Sequence, residues 1–67
     1  MKLIINNEEK HFAEDTLTLF QLIQQLDLGG KRIAIERNGE IVPKSLFETT
    51  ILAEHDQLEI ITAVGGG

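Results

Sequence analysis

Apolar and polar positions alternate with two different periods along this chain. Leu3 and Ile5 share one face of a strand at Lys2–Asn6, and Lys2, Ile4 and Asn6 share the other. Asn6-Asn7-Glu8-Glu9 reads as a turn, and Lys10–Ala13 as the returning strand with Phe12 and Lys10 on one face and His11 and Ala13 on the other. The period then changes. Leu19, Leu22, Ile23 and Leu26 recur at three and four residues and predict a helix, with Gln21, Gln24 and Gln25 facing water. Thr18-Leu19-Phe20-Gln21 has the form of a capping box, Leu17 and Leu22 are spaced to staple across it, and Gly29-Gly30 can supply a left-handed cap after Asp27.

Strand alternation resumes at Ile33 and Ile35. Asn38-Gly39 is a two-residue hairpin signal leading to a short strand, Glu40–Val42, which Pro43 confines to an edge or terminates. Ser45-Leu46-Phe47-Glu48 repeats the Ser-x-x-Glu form over a stretch long enough for one helical or 3₁₀ turn. The last strand spans Leu58–Thr62, with Leu58 and Ile60 toward the core and Glu59 and Ile61 outward; Ile4 is outward on the first strand by the same alternation. This order predicts an α+β domain over residues 1–63, a sheet of four to five strands with one main helix on one face. If the first and last strands are central neighbours, they run parallel and the helical crossover separates two hairpins. Residues 64–67 read as a flexible tail.

Composition narrows the chemistry. With 67 residues there is room for one small core and none for a deep internal active site. The absence of cysteine excludes a disulfide, a thiolate metal site and a cysteine nucleophile, and suits a reducing cytoplasm. No apolar run approaches a membrane span, and a net charge of −5 disfavours nucleic acid and anionic membranes while favouring a partner with a basic surface. His11 and His55 share no motif, and Glu54, Asp56 and Glu59 show no ligand spacing. No catalytic or metal site is therefore expected, and no cofactor bound by the chain itself.

The remaining candidate is Ala63-Val64-Gly65-Gly66-Gly67. Glycines without a Cβ can thread a narrow channel and present the Gly67 carboxylate inside a partner. A carboxylate is inert at neutral pH until it is activated, generally as an acyl phosphate or acyl adenylate. Because the chain has no nucleotide site, a partner enzyme must supply one. Ordering the tail costs roughly 1–2 kcal/mol per residue, so the folded domain must dock too. Ile4 and Ile61, with acidic neighbours, are the available anchors.

Asn38-Gly39-Glu40-Ile41-Val42-Pro43-Lys44, Thr16-Leu17 with the leucines after it, Asp56-Gln57-Leu58-Glu59-Ile60, and Val64-Gly65-Gly66-Gly67 together resemble the ThiS family of thiamine-biosynthesis sulfur carriers. The likeness covers essentially the whole chain and implies a ubiquitin-like β-grasp fold. It implies that a ThiF-like adenylating enzyme uses ATP and magnesium to form an acyl adenylate on Gly67, and that a sulfur donor protein then enables its conversion to a thiocarboxylate. A ThiG-like thiazole synthase would take the sulfur. The chain is then a protein cosubstrate, a monomer on its own, with Gly65 and Gly66 as clearance and Ile4, Glu59, Ile61 and Val64 as docking residues. One departure stands out: the family usually has glycine at the turn position occupied by His55, so either the backbone there is arranged differently or His55 strains a positive φ. Two other readings stay open, the small subunit of molybdopterin synthase or a related modifier, and a passive binding module with a disordered tail.

Overall fold

The computed structural model describes residues 1–63. Strand β1 (Lys2–Ile5) and strand β2 (Glu8–His11) form an antiparallel hairpin, followed by helix α1 (Leu19–Gln25). Strands β3 (Ile33–Arg37) and β4 (Glu40–Val42) form a second hairpin, and after a 3₁₀ turn at Lys44–Leu46 comes β5 (Gln57–Thr62). The sheet order is β2-β1-β5-β3-β4, with β5 central, parallel to β1 and antiparallel to β3. This is the expected mixed α+β sheet, with the crossover separating two hairpins.

Side-chain alternation accounts for the single core. Leu3 and Ile5 from β1, Ile35 from β3, and Leu58 and Ile60 from β5 meet Leu19, Leu22 and Ile23 of α1 in one buried cluster, closed by Leu17, Phe47 and Leu52. Each fully buried leucine or isoleucine contributes roughly 1.5–3 kcal/mol over its exposed state. The Thr18 capping box is present: Gln21 N–H donates to Thr18 Oγ1 at 3.1 Å and Thr18 N–H to Gln21 Oε1 at 2.9 Å.

Four local expectations need correction. The first turn has two residues rather than four, because Asn6 and Asn7 both take positive φ (50° and 69°) in the manner of a type I′ turn. The returning strand therefore begins at Glu8, although Lys10 still pairs with Leu3 on the core side. The helix does not wait for Gly29-Gly30: Asp27 takes the left-handed position (φ 59°), and Leu28 N–H donates to Ile23 O at 3.0 Å while Asp27 N–H donates to Gln24 O at 3.1 Å. These two bonds make a Schellman motif, with Leu28 packed against the core as its apolar lock.

Ser45 does not cap. Pro43, fixed at φ −63°, starts the 3₁₀ turn at Lys44, so Ser45 already lies inside it and Pro43 offers no side-chain acceptor. Finally, Ile4 lies on the outer face but is half-buried. It sits on an inner strand between Glu9 and Gln57 and gains cover from both.

Candidate functional site

The last strand is fixed on its β3 side to the point where the described chain ends and on its β1 side as far as Ile60. On the β3 side, Ala63 N–H donates to Arg32 O at 2.8 Å, one residue beyond the strand proper. On the β1 side, the chain turns away at Asn6, and the Asn6 amide continues the ladder in its place. Its Oδ1 accepts from Ile60 N–H at 2.8 Å and its Nδ2 donates to Ile60 O at 3.2 Å. Asn6 thus mimics one further strand residue, at the cost of a left-handed φ that asparagine tolerates. The launch point for anything beyond Ala63 is set by the sheet itself. Val64, Gly65, Gly66 and Gly67, the tail and sulfur-carrying positions expected from the sequence, lie outside the described residues.

Of the docking residues expected from the sequence, Ile4, Glu59 and Ile61 share the outer face of the sheet. Ile61 is 60% exposed and faces outward beside Ala34 of β3. Glu59 lies directly across from Glu36, so two carboxylates of like charge sit at the middle of the face. Such a pairing is mildly destabilising. Ile4 and Glu59 line one shallow cleft with Glu36 and Gln57. Ile41 joins this face and escaped the sequence reading: at 76% it is the most exposed of the large apolar residues described. The signal was available, because the two-residue Asn38-Gly39 turn sets Arg37 opposite Glu40 and so Ile41 opposite Glu36.

Asp56 was equally hidden. The residue is 6% exposed, and its carboxylate accepts from Arg37 Nε at 2.7 Å, Asn38 Nδ2 at 3.0 Å and Ala53 N–H at 2.8 Å. Burial alone would raise its pKa, but these hydrogen bonds and the guanidinium charge together outweigh it and hold the carboxyl below its ordinary value. Asp56 thereby ties the 38–39 turn to the 53–56 turn, a structural role. In the latter turn His55 has φ 68° at the third position, a type II arrangement that favours glycine, so the strain expected at this departure is present.

The described residues offer little else to chemistry. The His55 and Glu54 side chains are exposed and 3.7 Å apart, and His11 is exposed on β2. Among the described residues, no group of three His, Cys, Asp or Glu side chains could hold a metal ion. No helix among the described residues is long and apolar enough to cross a membrane.

The ThiS family model matches residues 3–67. A thiazole synthase from Paramagnetospirillum magneticum is 42% identical over 67 residues, which are all of this chain and 20% of that protein. The sulfur carrier protein ThiS of Bacillus subtilis is 34% identical over 65 residues, covering 97% of this chain and 98% of its own. The crystal structure of a thiamine biosynthesis protein (ThiS) from Geobacter metallireducens superimposes with a TM-score of 0.85 at 25% identity, covering both chains fully. The chain spans a fifth of the thiazole synthase's length and nearly all of the sulfur carrier's. A fold with β5 at the centre of a five-stranded sheet, and a sequence match running from Leu3 through Gly67, together place this chain in the ThiS family.

Proposed function

We propose that this protein carries sulfur for the thiazole-forming step of thiamine biosynthesis, as a thiocarboxylate on Gly67. The observation that carries the reading is the extent of its likeness to a sulfur carrier, which runs over 98% of the Bacillus subtilis protein. Chemically, the Gly67 carboxylate attacks the α-phosphorus of ATP held with magnesium by a ThiF-like partner. Pyrophosphate leaves and an acyl adenylate forms. Sulfide supplied through a donor protein then attacks the acyl carbon, the acyl–phosphate bond breaks and AMP leaves, and a ThiG-like thiazole synthase consumes the resulting thiocarboxylate.

In this reading the described domain holds and aims the tail while the partners perform the chemistry. Four residues beyond Ala63 reach at most about 14 Å when extended, far enough to bring the carboxylate into a partner's site while the domain stays outside. Gly65 and Gly66 provide the clearance, and Ile4, Ile41, Ile61 and Val64 supply apolar contact. Glu59 and Glu36 then face a basic patch on the partner, consistent with the net charge of −5.

Deleting Gly66 and Gly67 tests the reading in cells lacking their own carrier. Loss of growth without thiamine, with an unchanged circular dichroism spectrum, is the expected outcome. Growth supported by the truncated protein would favour a passive binding module. Copurification with a molybdopterin synthase large subunit instead of thiazole synthase would move the carrier to that pathway.

A further inference from the structure

The cations of this acidic protein are divided between two uses. Of six lysines and arginines, three face carboxylates: Lys2 lies 3.5 Å from Glu9, Lys10 lies 3.7 Å from Glu8, and Arg37 lies 2.7 Å from Asp56. The other three, Lys31, Arg32 and Lys44, have no carboxylate within 4.0 Å among the described residues, and all three are exposed. They are also together, because the loop before β3 and the chain just after β4 meet at the same end of the sheet. All three line a single groove of about 180 Å³, whose floor is apolar and includes Phe20, Ile23 and Phe47. Arg32 also receives the Ala63 amide, which puts this basic collar at the root of the tail.

We infer that the collar is a second docking surface, distinct from the outer sheet face, and that it seats on an acidic rim around the channel through which the adenylating partner admits the tail. This rests on the proposed function only in taking that partner as the occupant. Charge complementarity selects an acidic partner surface, since three cations without carboxylates among the described residues, in a chain of net charge −5, constitute a local reversal of sign. Tail length selects the rim rather than the nucleotide. Four residues beyond Ala63 reach at most about 14 Å when extended, so the collar stays at the mouth when Gly67 is at the reacting phosphate. The apolar floor selects one protruding apolar side chain at the centre of that rim, because a cavity of roughly 150 Å³ already accepts a benzene-sized group.

The test uses the full chain and the adenylating enzyme of the same organism, with equilibrium binding measured in about 50 mM and about 300 mM salt, where screening differs strongly. The wild type is expected to bind several-fold more weakly in the higher salt. The variant Lys31→Glu/Arg32→Glu/Lys44→Glu is expected to bind about tenfold or more weakly in low salt, with little further loss in high salt. The milder Lys31→Ala/Lys44→Ala pair, chosen in case the reversal disturbs folding, should lose about threefold, and in adenylation kinetics its defect should lie in KM with kcat unchanged. Unaltered low-salt binding by the milder pair, or a KM unchanged from wild type, overturns the collar. Wild-type adenylation with an indifferent collar refutes this inference alone. A collar-dependent, salt-sensitive complex that never adenylates Gly67 refutes the proposed function and leaves the collar standing. Absence of any complex overturns both.

Discussion

At one end of the sheet, Arg37 is held 2.7 Å from a buried Asp56, which also takes hydrogen bonds from Asn38 and Ala53. At the other end, Lys31, Arg32 and Lys44 border an apolar groove and face no carboxylate among the described residues. The contrast separates charges used to build the fold from charges left for a partner. An ionic group committed to structure is buried and multiply hydrogen-bonded, and removing it leaves its former partners unsatisfied. A group kept for recognition is exposed and contributes little to stability until something arrives.

Mutations at the two ends should therefore separate stability from binding. The largest loss of stability is expected for Asp56→Ala, about 2–4 kcal/mol in denaturant unfolding, because Ala53 N–H, Asn38 Nδ2 and Arg37 lose their common acceptor. A loss below about 1 kcal/mol would break the comparison at its structural end. The same carboxylate gives an acid signature. Its pKa is lowered in the folded state, so its contribution is fully present above the unfolded carboxyl value near ~3.9 and disappears as pH falls through the lower folded value. Asp56→Asn should flatten that part of the stability profile; an unaltered acid limb would contradict the assignment.

Smaller effects sharpen the picture. Thr18→Ala should cost about 1 kcal/mol through loss of the capping box. His55→Gly should raise stability by about 0.5 kcal/mol, because relief of the left-handed backbone outweighs the entropy glycine adds to the unfolded chain. Neutralising Lys31 and Lys44 together should shift stability by less than about 0.5 kcal/mol, the mark of charges held in reserve. A thermal or denaturant melt on each variant decides these cases, and a large change at the collar would return it to the structural class.

Much of this organisation was legible in the sequence because it rests on local rules. Alternation located Leu58 and Ile60 in the core, Asn38-Gly39 fixed the second hairpin, and Thr18 with Gln21 marked the helix start. The misses come from competition between local signals or from distance along the chain. Asp27 took the left-handed cap before the glycines could, and Pro43 fixed the 3₁₀ turn one residue ahead of Ser45. The Asp56 cluster joins residues up to 19 positions apart, and the collar joins 31 and 32 to 44 only once the second hairpin is folded. Net charge suggested a basic partner surface, which fits Glu36 and Glu59 but conceals the opposite sign at the root of the tail. Whole-chain charge averages over two surfaces that the fold keeps apart.

The central claim is that the last glycine, rather than any side chain, carries the chemistry. Incubation with the adenylating enzyme, ATP, magnesium and a sulfur source, followed by intact and fragment mass measurement, tests it most directly. The account predicts replacement of one oxygen by sulfur, located at Gly67. An unchanged mass with an enzyme active on its own carrier, or sulfur found at another residue, would contradict it.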